Sequence, residues 1–543
     1  MNTFEVISQT RGGDIRECDG QQQRPLKILT VALTTPLSHD FYPAPLFSLS
    51  GATELTQPDL HEITLARSQD AKGIIDFVGT NNIDILALSA PQGTLITLDN
   101  TLQGLTESTS DKQPTILLGS SLPTYLPERF FKTYPSLPLT IVGGWGESGF
   151  ASEVKARSTD AAQHGQLFIH GTYPVDYPTQ TGIPPQGDVL FHYPRVEASR
   201  GCFWGACSYC LRPLNEKKGK WKQYKPDDVI AQITDVLKLG YAGYFEFADE
   251  EPIGTDITRF QEIVDRLIVL RKDYPTFTFG MNMRADHIIS PKPDKQTEYD
   301  IFLKRAKEAG LTNIWMGAES YSSSHLKILR KGSYITPTTN LEAAKKVTEH
   351  GIHMTQGFIP YHPLSTWQEL EEMAHFMEPH AKFLSTVLGS PFGFLRVQHQ
   401  TPYEKMVRKV ENDTQRTLLG DLDENMLSYQ CRYADVNIGL HVAYMRIFYD
   451  WVNPFMKQLN VAALKGDTES RKLLDTLRLM GLNLFMDSIK QLGPLQDDIM
   501  ALEHQQVAIL NEYKERVGNL GLPTSLLDES LKSHLNEYKE KFT

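Results

Sequence analysis

Short apolar runs alternate with polar stretches of helix length in the N-terminal part of the chain. The runs, which predict buried parallel strands, cover residues 27–33, 61–65, 84–89, 114–118 and 139–142. Turns rich in Gly and Ser follow two of these runs, at 119–121 and 143–147. The pattern predicts an α/β fold that begins with an open, Rossmann-like parallel sheet over residues 26–155, where a ligand would bind at the carboxyl ends of the strands.

A second alternation predicts a partial barrel of β/α units over residues 196–409. The predicted strands of this region are 243–247, 277–281, 313–316 and 354–359. The predicted helices are 227–239, 257–271, 298–309 and 338–350. In such an arrangement the reactive side chains lie at the carboxyl ends of the strands. Between the two regions, the Pro-rich residues 156–195 predict a linker.

The pattern changes after residue 409. Apolar residues then recur at intervals of three and four, as in Leu440, Ala443, Tyr444, Ile447 and Trp451. This spacing predicts a helical C-terminal domain over residues 410–543. At the other end, residues 1–25 contain charged residues and three consecutive Gln but no apolar stretch, so we expect a polar leader and no export signal.

Composition narrows the class of protein. The chain of 543 residues has 54 Lys and Arg against 66 Asp and Glu, and the net charge of -12 argues against nucleic acid as a partner. No run of about 18 apolar residues occurs, so we expect no membrane-spanning helix. The five cysteines are odd in number and clustered, which indicates a reducing, cytoplasmic environment rather than a disulfide framework.

Three of the five cysteines, Cys202, Cys207 and Cys210, fall within nine residues. Three thiolates on one loop can hold three corners of a [4Fe–4S] cluster, which usually has a fourth Cys ligand. The remaining cysteines, Cys18 and Cys431, lie far away in the sequence. One iron would then keep an open coordination position, so the spacing predicts a cluster that takes part in chemistry.

Two other interpretations of this loop stay open. A tetrahedral zinc site closed by a neighbouring His, for instance His192, needs four ligands and normally shows two Cys pairs, of which the second is missing. Chance clustering of buried cysteines is the other interpretation. Gly201, Gly205 and Ala206 make the loop small and rich in accessible backbone, which favours wrapping a cluster over filling a core.

The run from Ser199 to Cys210 resembles the cluster loop of radical S-adenosylmethionine enzymes. An Arg-Gly-Cys sequence is followed by two further Cys, and the first interval is one residue longer than the commonest spacing in that family. The resemblance implies a [4Fe–4S] cluster whose open iron binds the methionine moiety of S-adenosylmethionine, and cleavage to a 5′-deoxyadenosyl radical. It also implies an external electron donor such as flavodoxin or ferredoxin, and a Tyr209 ring that packs on the adenine.

The first domain resembles the cobalamin-binding-type domain that precedes the cluster domain in one branch of this family. The matching features are a glycine turn and a Pro-Thr within 117–125, the Pro127-Glu128 helix start and the Gly-x-Gly-Glu turn within 143–147. The Asp-x-His-x-x-Gly signature that would place a His under cobalt is missing, because Thr64 stands where Gly is needed after His61. The resemblance implies a cobalamin site, and the open alternative is a sheet that has lost its ligand and only docks.

Charged residues follow the predicted strands of the partial barrel. In the family the position after the second strand helps to bind the methionine amino group, so Asp249 and Glu250 are the matching candidates, with an acidic turn or helix cap as the alternative. Glu319 lies in a Gly-x-Glu-Ser turn of the family type and is the candidate for the cofactor ribose, the methionine amino group or the cobalamin side of the cavity. Arg284 is suited to binding a carboxylate. Glu319 and Arg284 are our catalytic candidates, and a salt bridge between them is the alternative.

Several further residues depart from the family pattern. His362, His399 and Gln400 replace residues of family turns and are expected at the substrate mouth, with helix capping as the alternative for His362. Cys431 is interpreted as a buried structural residue, with a hydrogen-atom donor or substrate ligand as the alternative. A basic run predicts a solvated loop rather than a phosphate site. It consists of Lys217, Lys218, Lys220, Lys222 and Lys225.

The resemblance implies an enzyme that acts on a small-molecule or peptide substrate. If cobalamin binds, we expect methyl transfer to an unactivated carbon or phosphorus centre. Without cobalamin, the same cluster would drive a cyclisation, an epimerisation or another radical rearrangement. A sensor that holds a cluster or zinc without turnover is the alternative from another class, and the strand-end carboxylates together with Arg284 argue against it.

Overall fold

The structure is a computed structural model. It describes residues 4–10, 16–18, 21–23, 25–35, 61–108, 113–144, 146–158, 166–171, 183–186, 193–211, 221–464 and 467–543. The chain divides into two compact units. The first unit comprises residues 1–203, 215–280 and 423–427, and the second comprises residues 204–214, 281–422 and 428–543. These boundaries differ from the predicted domains, because the three-cysteine loop is divided between the units and residues 423–427 of the predicted C-terminal domain belong to the first unit.

The strands follow one another along the whole described chain. They are β1 (Phe4–Thr10), β2 (Arg16–Cys18), β3 (Gln21–Gln23), β4 (Leu26–Leu33), β5 (His61–Ser68), β6 (Ile85–Ser89), β7 (Thr115–Gly119), β8 (Leu139–Gly144), β9 (Leu167–Gly171), β10 (Arg195–Val196), β11 (Ser199–Arg200), β12 (Lys222–Gln223), β13 (Tyr244–Phe247), β14 (Thr278–Met283), β15 (Leu311–Glu319), β16 (His353–Phe358), β17 (Val397–Gln398), β18 (Leu419–Asp423) and β19 (Ser428–Cys431).

The α-helices lie between and after these strands. They are α1 (Ala71–Asn81), α2 (Leu95–Glu107), α3 (Ser121–Tyr125), α4 (Pro127–Thr133), α5 (Gly146–Ser158), α6 (Pro226–Lys238), α7 (Ile257–Leu270), α8 (Pro293–Glu308), α9 (Ser323–Ile328), α10 (Pro337–Glu349), α11 (Trp367–Met377), α12 (Ala381–Val387), α13 (Pro402–Thr414), α14 (Val436–Leu464), α15 (Thr468–Leu492), α16 (Ile499–Gly518) and α17 (Ser525–Phe542). None of the described helices is long and apolar enough to cross a membrane.

The first unit contains a seven-stranded sheet in the order β1-β5-β4-β6-β7-β8-β9. Strands β4 to β9 are parallel to their neighbours, and β1 is antiparallel to β5. The chain moves to one side of β4 to form β5 and then to the other side to form β6. Ligands of doubly wound sheets bind where the strand order reverses in this way, at the carboxyl ends of the strands. The predicted Rossmann-like sheet is confirmed.

Two strands of this sheet fall where none was predicted. Residues 4–10, which were assigned to a polar leader, form β1, and Ile7 is buried against Ile63 and Leu65 of β5. The leader interpretation is therefore wrong for this stretch, because its apolar residues become visible as a strand only through pairing with β5. Strand β9 falls within the predicted linker 156–195, most of which lies outside the described residues.

The core of the N-terminal sheet comes directly from the apolar runs. Ile28, Ile63 and Ile85 occupy neighbouring parallel strands and pack against Phe150 and Val154 of α5. Parallel strands are covered by helices on both faces, which is why their sequences are apolar without strict alternation.

A second sheet has the strand order β10-β13-β14-β15-β16. The described registers of β10 with β13, of β13 with β14 and of β15 with β16 are all parallel. The predicted strands and helices of the partial barrel are confirmed, with shifts at their ends. The largest shift is at α8, which begins at Pro293 instead of residue 298. Proline at the first helical position is a favourable helix start, because its missing N–H would have no partner there.

Helix α7 shows how the sequence forms these elements. The Asp256 side chain accepts a hydrogen bond from Thr258 N and so caps the helix. Its buried residues share one face at intervals of three and four, and they are Ile257, Phe260, Ile263, Val264 and Leu267. That face packs on the sheet, so the cap and the apolar stripe together determine where the helix lies.

The C-terminal region is helical from α14 to α17, as predicted. Strands β18 and β19, however, fall inside the segment 410–543 and form a small sheet with β17. The helical prediction is wrong for these strands. Leu418 and Leu419 are buried with Val397 and Tyr403, so this segment is extended because it packs on residues that lie outside it.

Candidate active site

The three-cysteine loop begins directly after β11. Cys202, Cys207 and Cys210 are half-buried, and none of the three is part of a disulfide. Gly201 and Gly205 have positive φ values of 82° and 54°, which glycine adopts without the steric cost that other residues incur. Three thiols on a tight turn are a donor set that fits a [4Fe–4S] cluster with one open iron.

No group of three or more His, Cys, Asp or Glu side chains in the described part of the chain is arranged to hold a single metal ion. A cluster differs from a single ion, because each Cys binds a different iron and the thiols need not converge on one point. The proposed zinc partner His192 lies outside the described residues, as do Lys217, Lys218 and Lys220 of the basic run. Lys222 of β12 lies opposite Arg200 of β11 in the register of the two-stranded sheet.

Ser208 anchors the cluster loop. Its side chain is completely buried, and its Oγ donates a hydrogen bond to the Ile328 carbonyl at 2.9 Å. Its N–H donates to the Leu329 carbonyl at 3.0 Å, and its own carbonyl accepts from Tyr403 N at 2.8 Å. The residue between Cys207 and Tyr209 therefore has a structural role that the cysteine spacing did not reveal.

Asp249 holds the start of the same loop. Its carboxylate accepts hydrogen bonds from Ser199 Oγ at 2.6 Å and from Ala198 N at 3.0 Å. Burial raises the pKa of Asp249 to about 7. Glu250 is exposed, and the Glu251 carboxylate accepts from backbone N–H groups of its own turn. The three carboxylates thus have different hydrogen-bond partners. Asp249 supports the cluster loop, and contact of Asp249 or Glu250 with the methionine amino group stays a prediction.

Arg200 links the cluster loop to the Gly-x-Gly-Glu turn of the N-terminal sheet. Its guanidinium pairs with Glu147 at 2.5 Å and with Glu197 at 2.7 Å, and its side chain is only 11% exposed. Glu147 was visible in the sequence only as part of the turn after β8. The ion pair places that turn beside the residue two positions before Cys202.

Glu319 ends β15 in a strained conformation. Its φ of 62° lies in the left-handed region, and the register with β16 shifts between Gly317 and Glu319. A non-glycine residue persists there only when its surroundings hold it, and such residues cluster at functional sites. Gly317 leaves room for the carboxylate, since a Cβ at that position would clash with Glu319 Oε1.

The partners of Glu319 are Lys331 and Tyr209. Oε1 accepts a hydrogen bond from Tyr209 OH at 2.8 Å and lies 3.1 Å from Lys331 Nζ. Burial opposes the charge on Lys331, but Glu319 and the Cys207 thiol outweigh it and raise the pKa of Lys331. In the sequence, Lys331 stood out only as part of a helix end. Its contact with the Glu319 carboxylate makes it a functional residue that the sequence analysis missed.

Arg284 lies in a network of contacts around Lys331, and the alternative of a salt bridge between Arg284 and Glu319 stays a prediction. Its guanidinium binds the Asp286 carboxylate through two contacts of 2.9 Å and donates to the Lys331 carbonyl at 2.9 Å. It also lies 4.9 Å from the ring centre of Trp204, whose Nε1 donates to the Arg330 carbonyl at 2.8 Å. Arg284 and Trp204 therefore hold the backbone that carries Lys331.

His362 is completely buried, so its predicted position at the substrate mouth is wrong. Its Nδ1 lies 2.6 Å from Tyr403 OH and its Nε2 lies 3.2 Å from Glu369 Oε2. Burial lowers the pKa of His362 to about 3. Its ring packs on His325 at a centroid distance of 4.3 Å.

His399 and Gln400 lie at the surface of the second unit. They line a cleft of about 720 Å³ together with Glu404, Lys405 and Arg408. His399 Nδ1 lies 2.8 Å from Tyr429 OH. Both residues therefore remain accessible to a ligand, in contrast to His362.

Cys431 ends β19 as a half-buried thiol that donates a hydrogen bond to the Tyr429 carbonyl at 3.2 Å. Burial raises the pKa of Cys431 to about 12. A thiol with that pKa stays protonated, which supports the interpretation of Cys431 as a structural residue.

Small residues form the carboxyl ends of the central strands in the N-terminal sheet. Gly119 and Gly144 end β7 and β8, and Ser120 adopts a φ of 77° directly after β7. His61 pairs with Leu26 at the first residues of β5 and β4, so it lies at the opposite edge. His61 therefore supplies no cobalt ligand at the carboxyl edge of the sheet. At that edge the small residues leave room for a bulky ligand.

A turn from the distant residues 423–427 packs on the loop after β6. The Asn425 carbonyl accepts from Gly93 N at 2.8 Å, and its Oδ1 accepts from Leu95 N at 2.9 Å. Arg129 of α4 joins this turn to α2 by pairing with Glu424 and Asp99, each at 2.6 Å. No local pattern in the sequence indicates that this turn completes the carboxyl edge of the N-terminal sheet.

Residues 196–377 match the radical SAM superfamily. A curated protein, 4′-phospho-dehydrooxetanocin synthase from Priestia megaterium, is 25% identical over 398 residues, which are 61% of this chain and 52% of that protein. The match therefore spans about half the length of that relative.

Two solved structures share the fold. One is the cobalamin-dependent S-adenosylmethionine radical enzyme OxsB with aqua-cobalamin bound, at a TM-score of 0.74 and 19% identity over 94% of this chain and 81% of that one. The other is OxsB with aqua-cobalamin and S-adenosylmethionine bound, at a TM-score of 0.75 and 19% identity over 95% and 84% of the two chains. The common fold includes the N-terminal sheet, the partial barrel and the helical C-terminal region.

Proposed function

We propose that this chain, whose residues 196–377 match the radical SAM superfamily, cleaves S-adenosylmethionine beside Glu319 and uses the resulting radical in a cobalamin-dependent reaction. The observation that carries the proposal is the buried contact of Glu319 with Lys331 and Tyr209. Tyr209 lies between Ser208 and Cys210, so the contact joins a strained strand end to the cluster loop.

Cys202, Cys207 and Cys210 are the proposed cluster ligands. When bound, a [4Fe–4S] cluster supplies the electron that splits the sulfonium bond of S-adenosylmethionine. The hydrogen bonds of Ser208 and Asp249 hold the two ends of the loop on which these thiols lie. An external reductant such as flavodoxin or ferredoxin is the proposed electron source, and the cytoplasm is the compartment that would keep the thiols reduced.

Glu319 is the proposed acceptor for the cofactor. Its Oε1 already accepts from Tyr209 and faces Lys331, whereas Oε2 lies over Gly357, where a Cβ would be 3.4 Å away. A carboxylate oriented in this way can accept from ribose hydroxyls or from an ammonium group. Arg284 is proposed to act through the backbone of Lys331 and not by touching the cofactor.

Cobalamin is proposed to bind at the carboxyl edge of the N-terminal sheet. The proposal is supported by the reversal of strand order between β4 and β6, by the small residues that end β7 and β8, and by the OxsB structures, which hold aqua-cobalamin. When bound, cobalamin supplies a group that can carry a methyl or accept an electron. The ion pair of Arg200 and Glu147 would keep this edge next to the start of the cluster loop.

Methyl transfer to an unactivated carbon or phosphorus centre is the first candidate reaction, since it combines a hydrogen-abstracting radical with a methyl carrier. A radical rearrangement is the second candidate. It is favoured by the similarity to a protein named as a 4′-phospho-dehydrooxetanocin synthase. The two reactions differ in whether a methyl group enters the product.

Anaerobic reconstitution tests the first step. The chain is supplied with iron, sulfide, S-adenosylmethionine and dithionite, and 5′-deoxyadenosine is measured by chromatography. We expect 5′-deoxyadenosine from the native chain and none from Cys207→Ala, which should also lose its cluster absorbance. An intact cluster in the native chain without 5′-deoxyadenosine would contradict the proposal.

Cobalamin and the reaction class are tested separately. After expression with the vitamin supplied, the purified chain should show the visible spectrum of a corrinoid. With S-adenosylmethionine labelled in its methyl group, methyl transfer puts label into the product and releases S-adenosylhomocysteine, whereas a rearrangement leaves the product unlabelled. Protein that stays free of corrinoid at high vitamin supply would remove the basis for methyl transfer.

A further inference from the structure

The main chain around Glu319 forms a tight turn at the end of β15. Glu319 has a φ of 62°, and Ser320 N donates a hydrogen bond across it to the Ala318 carbonyl at 2.8 Å. The Glu319 carbonyl accepts from Ile359 N at 2.7 Å. A residue with a side chain is disfavoured in the left-handed region, because its Cβ comes too close to the following carbonyl oxygen. Contacts from outside the turn are therefore needed to hold it.

Asn340 of α10 provides two such contacts. Its side chain is completely buried. Its Nδ2 donates to the Ala318 carbonyl at 3.0 Å and to the Ser320 carbonyl at 3.2 Å. These are the residues on either side of Glu319, so one amide nitrogen spans the turn. Because both acceptors are carbonyl oxygens, only the nitrogen end of the amide, with its two N–H donors, can face them.

A second amide connects Asn340 back to the same segment. Gln356 of β16 donates from Nε2 to the Asn340 carbonyl at 3.0 Å, and its Oε1 accepts from Tyr321 OH at 2.5 Å. Both side chains are buried. Tyr321 follows Glu319 by two positions, so the chain of hydrogen bonds leaves the turn and returns to it. Hydrogen bonds away from water are stronger than at the surface, so this network fixes Asn340 against the turn.

The oxygen end of the Asn340 amide is buried without compensation. Its Oδ1 has no hydrogen-bond partner within the described ranges. A buried acceptor without a donor is unfavourable, and Asn is also a poorer helix former than an apolar residue such as Leu. Helix α10 by itself therefore gives no reason for an amide at this position. The two carbonyls that Nδ2 binds, on either side of Glu319, do give one.

The direction of the Glu319 side chain follows from this turn. With φ at 62°, Oε1 lies 2.8 Å from Tyr209 OH and 3.1 Å from Lys331 Nζ. Rotation of φ into the negative range that most residues adopt would move the Cβ and carry the carboxylate off both partners. We propose that Asn340 is a positioning residue for Glu319, which holds the turn so that the carboxylate faces Tyr209 and Lys331. The inference rests on the proposed function, in which that carboxylate binds S-adenosylmethionine.

A double-mutant cycle tests this role. The dissociation constant of S-adenosylmethionine is measured by equilibrium dialysis for the reconstituted native chain, Asn340→Ala, Glu319→Ala and the double variant. Asn340→Ala should weaken binding about tenfold, the loss expected for one charge-assisted hydrogen bond. In the Glu319→Ala background the same substitution should weaken binding no further, because Asn340 acts only through Glu319. Equal factors in the two backgrounds would overturn the positioning role.

Gln506→Ala is the matched control. Gln506 of α16 is a completely buried amide whose Oε1 lies 2.7 Å from His441 Nδ1. Both Asn340→Ala and Gln506→Ala should lower the temperature of unfolding, but only Asn340→Ala should weaken S-adenosylmethionine binding. Weakening by both would overturn the positioning role, since loss of stability alone would explain it. If Asn340→Ala does not fold, Asn340→Asp keeps the volume without the amide donors, and native affinity in that variant would overturn the role.

Hydrogen exchange separates this inference from the proposed function, because it needs no S-adenosylmethionine. Peptides covering 317–322 and 357–361 contain the amides that bond within the turn, and Asn340→Ala should speed their exchange while Gln506→Ala should not. Unchanged exchange in Asn340→Ala, with 5′-deoxyadenosine formed by the native chain, would overturn the positioning role alone. Faster exchange in Asn340→Ala, with a native chain that never forms 5′-deoxyadenosine, would overturn the proposed function and leave the hold of Asn340 on the turn standing.

Discussion

Lys331 Nζ lies 3.1 Å from Glu319 Oε1, and the two side chains are only 9% and 8% exposed. The pair lies at the end of β15, where Glu319 has a left-handed backbone. Because a buried charge needs a partner, each of these residues depends on the other for its charged state. The orientation of the Glu319 carboxylate is consequently determined by a residue twelve positions later in the chain.

Replacing Lys331 by Met should leave Glu319 buried without its cation. We expect a loss of about 3 to 5 kcal/mol in the free energy of unfolding, the usual cost of breaking a buried ion pair. We also expect weaker binding of S-adenosylmethionine, measured by equilibrium dialysis of the reconstituted chain. Lys327→Met, at an exposed position of α9, is the control and should change neither value. Unchanged stability in Lys331→Met would mean that the pair does not hold the carboxylate.

A methyl group at Gly317 should displace the Glu319 carboxylate. The Cβ of Gly317→Ala would meet Glu319 Oε1 and lie 3.1 Å from Lys331 Nζ. We expect destabilisation of about 1 to 3 kcal/mol, as for other overpacked sites, and reduced formation of 5′-deoxyadenosine. Gly243→Ala is the matched control, because nothing lies within 4 Å of the position of its added Cβ. If Gly317→Ala and Gly243→Ala have the same stability and form the same amount of 5′-deoxyadenosine, the close packing around Glu319 does not contribute to function.

The buried Asp249 should make stability depend on pH. Burial raises the pKa of this carboxyl from 3.8 to about 7. The folded chain then binds its proton more tightly than the unfolded chain, so the contribution of Asp249 is full below about pH 4 and is lost as the pH rises to about 7. Urea unfolding between these values should show the native chain losing stability relative to Asp249→Asn.

The control for this pH series is Asp227→Asn. The carboxyl of Asp227 is exposed, and its hydrogen bond with Arg266 lowers its pKa. The stabilisation by Asp227 is therefore lost only as the pH falls below the ordinary pKa range of an Asp carboxyl. Between pH 4 and 7 the native chain should keep its stability relative to Asp227→Asn. A parallel pH dependence of the native chain and Asp249→Asn would show that Asp249 is ionised throughout.

The Arg200–Glu147 pair should couple the N-terminal sheet to the cluster loop. Arg200→Gln is expected to cost about 3 to 5 kcal/mol, since it leaves the buried Glu147 without its cation, and Glu147→Gln should cost less because Arg200 keeps its pair with Glu197. In a double-mutant cycle the two losses should be far from additive, because the second substitution removes the charge that the first left unpaired. Iron retained per chain after gel filtration is the second measurement, and it should fall in both single variants. Additive losses would indicate that the two residues act independently.

Much of the architecture could be read from local patterns. The apolar runs predicted strands β4 to β8, and the alternation after residue 195 predicted β13 to β16 with their helices, because the period of buried positions reflects strand and helix geometry directly. The boundaries shifted where a cap or a proline set the end, as at Pro293. Two segments escaped prediction because their extended form depends on other strands: β1 pairs with the distant β5, and β18 pairs with β19 in the small sheet that also contains β17.

By itself, the sequence determined the cysteine spacing, the order of the β/α units and the strand-end positions of Asp249, Arg284 and Glu319. Those features are local, so residue type and spacing suffice to reveal them. Only the tertiary structure decided that Glu319 pairs with Lys331 and that His362 is buried. Such partnerships depend on which chain segments pack together, and packing is a property of the whole fold that no local pattern contains.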